Sequence, residues 1–391
     1  MGENKFSFKN IDFSNIKKLM NKDIKELRSS NEKSEKRMNV SNKKLPKKLI
    51  GFDIGSKSTK VVVGKKYRDK LVIDRLLSIP TPEGMMLDGK IFNVKNLSEV
   101  IGYILEQEKL GADNAICTAK SSAIINREII IPKVEDEEME TVIKYEIQQY
   151  LPIDLNDYIL QYKVIDNILN EAGEQLKVNV IAFPEKMAKA YYDLLLELDL
   201  KPFALDVDYN SIDKLMDFNT EINNYEYNAE NTIAFIDIGA TSINLTIYKD
   251  GKIDFTRMIK SGGDNIDYEL SNKLSMSAKA TESIKIEKAN LHNISKVDDV
   301  NTTIVEVIGE WISEIDRILL FYKNKNSGKE IDTIYIYGGS SNIKGLCTLM
   351  TERLGIKTRR INGLNNIQIS SKELNEPIEQ YINAIGSLIR Y

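Results

Sequence analysis

Histidine is nearly absent, with His292 the single one in 391 residues. That excludes His-based triads, His-rich zinc sites and most imidazole general-base chemistry, and leaves His292 a bystander. Cysteine is scarce too. Cys117 and Cys347 lie in unrelated contexts without a Cys-x-x-Cys spacing, and read as small core residues, not as a disulfide or metal pair. No window approaches the roughly 20 apolar residues of a membrane span, and the first thirty residues lack the apolar core of a signal peptide. A reducing, cytoplasmic compartment is the expectation. An excess of charge of one sign is missing as well: 54 Lys and Arg face 58 Asp and Glu, so no global electrostatic attraction to nucleic acid is expected.

The balance hides an uneven distribution. Residues 1–48 hold fourteen Lys or Arg and six Asp or Glu, a net +8, which leaves −12 for the remainder of a chain whose total is −4. Residues 1–47, rich in Lys, Asn, Ser and Glu, are expected to form a basic, disordered extension. Within it Phe13, Ile16, Met20, Ile24 and Leu27 recur at helical spacing among lysines. That pattern fits a helix for an anionic membrane surface or a partner groove, and equally a solvated, transient helix.

The body of the chain contains a repeat. Gly51-Phe52-Asp53-Ile54-Gly55-Ser56-Lys57-Ser58 returns 184 positions later as Phe235-Ile236-Asp237-Ile238-Gly239-Ala240-Thr241-Ser242. In each copy an apolar run ends on Asp-Ile-Gly, passes through small or polar residues, and resumes as alternating aliphatic residues. This predicts strand, tight turn and strand in two related half-molecules. At 391 residues the chain is long enough for two cores.

Around the first copy, strands are expected at 49–55, 59–66 and 70–78. After Pro80 to Gly84, a helix at 94–109 and strands at 115–118 and 123–131 follow. Then come a helix opening at Glu135-Asp136-Glu137-Glu138 and ending near Tyr150, and strands at 158–166 and 176–183. The acidic opening suits a helix N-terminus and is not read as a metal cluster. Helices at 184–198 and 209–218 flank a short strand at 201–206, and 220–231 reads as a linker. The second half repeats the meander at 232–259, followed by helices ending near Leu274 and at 278–291 and 299–323. A strand at 331–337, a helix at 343–354 and a final helix at 377–389 complete it. The expected organisation is a first subdomain (1A) at 48–84 and 167–219 with an inserted unit (1C) at 85–166. A second subdomain (2A) covers 232–274 and 330–391, with a helical unit (2B) at 275–329.

The chemistry of the paired turns suits a nucleoside triphosphate. Glycine lets backbone N–H groups approach phosphate oxygens, the hydroxyls of Ser56, Ser58, Thr241 and Ser242 add donors, and Lys57 adds charge. The carboxylates of Asp53 and Asp237 offer the hard oxygen that Mg²⁺ and its water shell prefer. Gly338-Gly339-Ser340-Ser341, after an apolar strand, allows close approach to a base or ribose, or merely joins strand to helix; Gly262-Gly263 shares that ambiguity. One Asp-Ile-Gly turn alone would be an ordinary hairpin; two in matching contexts point to nucleotide binding, with Gly55 and Gly239 at the turns and Ala240 beside the second.

These residues resemble the actin-like ATPase superfamily, an α/β, actin-like (ribonuclease H-like) two-domain fold. Thr281-Glu282-Ser283-Ile284-Lys285 is similar to the segment that touches ribose and base in bacterial actins, which implies a contact by Glu282 and Lys285. Within the superfamily the chain resembles the PilM family of type IV pilus assembly. The marks are Gly51 to Ser56, Ser58-Thr59-Lys60, Ile131-Pro132, Tyr145 to Asp154, Leu205-Asp206-Val207-Asp208, Asp237 to Ala240 and Gly262-Gly263-Asp264. The inserted unit stands where PilM and FtsA carry their distinctive subdomain. The resemblance implies ATP and Mg²⁺ bound between two domains, with Mg²⁺ held by Asp53 and Asp237 through water. It also implies a PilN-like membrane-protein tail docked beside the inserted unit, ties to pilus motor ATPases and platform proteins, and a place at the inner face of the cytoplasmic membrane, reached through a partner. Twitching motility and oligomerisation belong to the same picture.

Hydrolysis needs a base or an oriented water besides binding. Asp206 and Asp208 are the carboxylates at hand, in catalytic or merely structural roles, and slow or absent turnover is expected. The alternatives are a filament-forming bacterial actin or FtsA-like division protein, and a small-molecule kinase of the same fold. Arg390-Tyr391 shows no counterpart of the membrane-binding C-terminal helix of FtsA, which favours the pilus reading.

Overall fold

The computed structural model describes residues 46–150, 154–170, 173–292, 298–326, 328–370 and 376–390. Most of the basic extension, with its amphipathic stretch, and Leu151-Pro152-Ile153 of the resemblance lie outside them.

Strands β1 (Leu49–Ile54), β2 (Ser58–Tyr67) and β3 (Lys70–Pro80) form the expected antiparallel meander. The short pair β4 (Met86–Leu87) and β5 (Lys90–Ile91) precedes helix Val94–Glu108 and β6 (Asn114–Ala119). Next come β7 (Ile125–Pro132), helix Met139–Tyr150, β8 (Tyr158–Asn170) and β9 (Gly173–Pro184), then helix Glu185–Glu197, β10 (Lys201–Val207) and helix Asp208–Phe218. A small hairpin, β11 (Glu221–Ile222) and β12 (Tyr225–Glu226), leads to β13 (Ile233–Ile238), β14 (Ile243–Lys249) and β15 (Lys252–Ile259). Helices Gly263–Leu274, Ala278–Lys288 and Asp299–Lys325 follow. The chain closes with β16 (Thr333–Tyr337), helix Leu346–Leu354, β17 (Thr358–Arg360), β18 (Ile367–Ile369) and a short helix, Ile382–Ser387.

Two large sheets result, in the orders β10-β6-β1-β2-β3-β18 and β15-β14-β13-β16-β17. The repeat is thus structural: β1 lies antiparallel to β2 and parallel to β6, and β13 antiparallel to β14 and parallel to β16. Both central strands are covered on both faces, which is why they read as nearly continuous apolar runs. Ile50, Phe52 and Ile54 pack into one core, with helices Val94–Glu108 and Glu185–Glu197. Leu49 belongs to another core, which reaches from Val62 and Ile116 to Phe235 and Tyr337 and so joins the two halves.

Three expectations are corrected. Strand β6, assigned to the inserted unit at 85–166, hydrogen-bonds between β1 and β10 in the main sheet. Strand β9, assigned to the first subdomain, is instead the middle of a separate sheet, β7-β9-β8, with its own core of Ile131, Ile143, Ile147 and Val178. Alternation shows that a segment is a strand but not which neighbour it pairs with. The third concerns the chain's end. A long helix at 377–389 in the second subdomain was expected; instead a tight turn at Ile378–Gln380 stays against β16 of the second sheet, and a separate short helix, Ile382–Ser387, packs on helix Asp208–Phe218 and on β1 and β6. Gly51 permits this, since a Cβ there would lie 2.6 Å from the Ala384 carbonyl oxygen and from Ser387 Oγ.

Candidate functional site

The two turns share one geometry. Gly55 N donates to Ser58 O at 3.1 Å, and Gly239 N to Ser242 O at 3.0 Å. Each turn holds its aspartate at the C-terminal end of a central parallel strand, Asp53 beside Thr118 and Asp237 beside Tyr337. The turns face each other across a cavity of about 500 Å³, within the size range of small-molecule sites.

The Gly262-Gly263 segment is anchored to the second turn. Gly263 N donates to Gly239 O at 3.0 Å and Asp264 N to Ala240 O at 2.8 Å, while the Asn265 side chain caps Gly262 N at 3.0 Å. A Cβ on Gly262 would lie 2.6 Å from Gly239 O, so only glycine allows this docking. It leaves Gly263 and Asp264, at the positive end of helix Gly263–Leu274, on the cavity. At the far wall Gly338 has φ +88°, and a Cβ there would collide with Asp237 Oδ1 and the Ile238 carbonyl. Ser340 Oγ donates to Gly239 O at 3.1 Å.

Of the cofactor residues named from sequence, all line the cavity except Gly262 and Ser341. Gly262 acts from behind, and the buried Ser341 hydroxyl closes the turn by donating to Gly338 O at 2.7 Å. Glu282 and Lys285 do line it. Lys285 Nζ is held by Asp267 Oδ2 at 2.7 Å and Gly263 O at 3.1 Å, and Lys57 reaches across to Asp264 at 3.5 Å and Glu282 at 3.8 Å. Burial opposes the Lys57 ammonium, but Asp264 and Glu282 hold its pKa above the ordinary lysine value.

Asp206 and Asp208 do not line the cavity. Asp206 is engulfed: its carboxylate pairs with Lys214 and, at 3.5 Å, with Arg390, and accepts from Val207 N and Asn210. That is a structural role, with no path to a ligand. Asp208 lies nearer the centre, where burial raises its pKa to about 7, with Asp237 and Asp53 adding and Lys120 opposing.

Sequence reasoning missed Lys60, Lys120 and Asn383. Lys120 Nζ is 2.8 Å from Asp237 Oδ2. Asn383, on the returning C-terminal helix, points Nδ2 at Asp53 Oδ2 and Asp237 Oδ2, both at 3.2 Å. Lys60 pairs with Asp53 in register and donates to Gln380 at 2.8 Å; burial lowers its pKa, against Asp53 and Glu376. Only Lys60 carried a signal, its place in the Ser58-Thr59-Lys60 mark of the resemblance. Burial pushes the Asp53 carboxyl up, Lys120 pulls it down and Asp237 pushes it up again. Among the described residues no group of three or more His, Cys, Asp or Glu could hold a metal ion unaided. The donors still suit a hydrated Mg²⁺ shared with phosphates: two carboxylates close enough for one Asn383 amide nitrogen to reach both. Backbone amides, a helix N-terminus and several lysines around them suit a polyphosphate.

A family model of type IV pilus assembly protein PilM matches residues 51–391. The chain belongs to the PilM family. A solved PilM-PilN type IV pilus biogenesis complex is similar to it at a TM-score of 0.73 and 22% identity, covering 87% of this chain and 97% of that one. The fold is therefore that of PilM, an actin-like two-domain fold. Cell division protein FtsA of Buchnera aphidicola subsp. Acyrthosiphon pisum (strain APS) is 26% identical over 388 residues, 88% of this chain and 90% of that protein. FtsA of Buchnera aphidicola subsp. Schizaphis graminum (strain Sg) is 25% identical over 390 residues, with the same coverage. No helix among the described residues is long and apolar enough to cross a membrane.

Proposed function

We propose that the protein is a cytoplasmic ATP-binding scaffold of the type IV pilus inner-membrane platform. Mg-ATP binds between the two domains, and the cytoplasmic tail of a PilN-like membrane protein docks in a groove beside the β7-β9-β8 sheet. The observation that carries this is the facing pair of Asp-Ile-Gly turns, with Asp53 and Asp237 sharing the Asn383 amide. The triphosphate would lie between the two turns, beside the hydroxyls of Ser56, Ser58, Thr241 and Ser242 and the Lys57 ammonium. Asp53 and Asp237 would hold Mg²⁺ through its water, and Mg²⁺ would neutralise phosphate charge. Gly338, Gly339, Glu282, Lys285 and the exposed Ile286 would surround the nucleoside.

Ligand contacts from both halves favour closure, which gives the docking groove its nucleotide sensitivity. Turnover is slow: Asp206 is spent in a buried ion pair, and Asp208 is the one remaining candidate base of the two. The protein reaches the inner face of the membrane through its partner, alongside pilus motors and platform proteins. The likeness to PilM in complex with PilN and the family assignment support this partner.

The test is a pull-down with the cytoplasmic N-terminal peptide of the candidate membrane partner, with and without Mg-ATP. Capture that changes with nucleotide is expected; no capture in either state would sink the scaffold reading. The FtsA likeness supports a second reading, a filament former of the division type. Nucleotide-dependent sedimentation of purified protein into polymers would favour it.

A further inference from the structure

Lys120 is a cleft residue that the proposed function leaves without a task. It follows β6 directly, on the segment leading to β7 of the inserted unit. Its ammonium lies 2.8 Å from Asp237 Oδ2, with side chains 20% and 3% exposed. Asp53 and Asp208 act on it as well: burial disfavours its charge, yet the three carboxylates together hold its pKa above the ordinary lysine value. Asp53 and Asp237 are brought together at one point, since a single Asn383 amide nitrogen reaches both at 3.2 Å. The position thus brings two carboxylates together, and a lysine supplies its positive charge.

We propose that Lys120 is a built-in counterion, which takes the place of a divalent cation between Asp53 and Asp237 when no nucleotide is bound and is displaced when that cation arrives. This rests on the reading of the cleft as a metal-nucleotide site. An ammonium and a hydrated divalent cation compete for the same carboxylate oxygens, and the divalent ion repels the ammonium at short range. The exchange is a side-chain movement. The Lys120 backbone is clamped, because its carbonyl lies against Gly89, where φ is +76° and a Cβ would collide with it, and because Ser122 N donates to Asp88 Oδ1 at 2.8 Å. Without Lys120 the clustered carboxylates repel one another, and a divalent cation relieves them. The empty protein therefore stays closed to bare metal and admits it together with phosphate, which gives the lysine a new anionic partner.

The test is Mn²⁺ binding to nucleotide-free protein, read from the electron paramagnetic resonance signal of free Mn²⁺. Lys120→Met is expected to bind Mn²⁺ at least about tenfold more tightly than wild type, and Lys120→Arg as weakly as wild type. The gain should vanish in Lys120→Met combined with Asp237→Asn. Lys120→Gln, which keeps a donor toward Asp237, carries the same expectation if Lys120→Met does not fold. Affinities of the two neutral variants within twofold of wild type would overturn the proposal. Mn²⁺-ATP binding to wild type is measured alongside: if it persists while the neutral variants show no gain, only the counterion role fails. If wild type binds no Mn²⁺-ATP, the cleft reading fails with it.

Discussion

Replacing Gly338 with alanine tests whether the end of β16 is shaped by the cleft or is an ordinary connection. At φ +88° and ψ 168° Gly338 occupies a region that is essentially glycine's alone, and forcing alanine into it costs about 1–3 kcal/mol. The new Cβ would also lie 2.7 Å from the Ile238 carbonyl oxygen and would strike Asp237 Oδ1. Neither can yield freely: Ile238 ends the central strand, and Asp237 is held by Lys120 and Asn383. Overpacking of that kind adds about 1–3 kcal/mol. The sum, about 2–6 kcal/mol, is a large part of the roughly 5–15 kcal/mol of a typical domain. The control is its neighbour: Gly339→Ala places a Cβ with no atom within 4 Å and no positive φ, so its stability should stay within about 0.5 kcal/mol of wild type. Urea unfolding followed by the single tryptophan, Trp311, whose Nε1 donates to Ser261 beside the Gly262-Gly263 loop, reads both. Equal midpoints for the two variants would refute the reasoning.

Three further outcomes are expected. Asp206→Asn breaks an ion pair whose Lys214 and Asp206 side chains are 3% and 0% exposed, and should cost about 3–5 kcal/mol while the folded fraction keeps its nucleotide affinity; a stable variant with lost affinity would restore Asp206 to the site. Asp208 has a folded pKa of about 7 against an ordinary value of 3.8, so the native state holds its proton more tightly, and stability falls as pH rises through that window. Asp208→Asn should therefore gain stability over wild type at pH 8 and lose that advantage near pH 4; a pH-independent difference would contradict the burial argument. Peptide capture should change when Mg-ATP is added, and Asp237→Ala should remove the change without removing capture itself.

The core of the fold was legible because it is written twice. The buried strands β1 and β13 each need an apolar run, and each turn needs glycine where Gly55 and Gly239 pass the Ser58 and Ser242 carbonyls. Strand membership was less legible: β6 and β9 look alike as apolar segments, and only pairing assigns one to the main sheet and the other to the inserted one. The C-terminal helix was misplaced because its contacts, Gly51 against Ala384 and Gly386 against Ser211, join residues far apart in the chain. Asp206 and Asp208 stand two positions apart and are chemically identical, so only the structure shows that Asp206 is spent in a buried ion pair with Lys214 and that neither carboxylate lines the cavity. Lys120 and Asn383 sit outside any motif, and reach the site only because β6 and the chain's end converge on β1.

Titration calorimetry of Mg-ATP into wild type and Asp237→Ala, repeated across Mg²⁺ concentrations, tests the nucleotide clamp most directly. Binding to wild type should depend on Mg²⁺ and weaken at least about tenfold in the variant, the size of a lost charge-assisted contact. Equal affinity of the two proteins at every Mg²⁺ concentration would contradict the clamp.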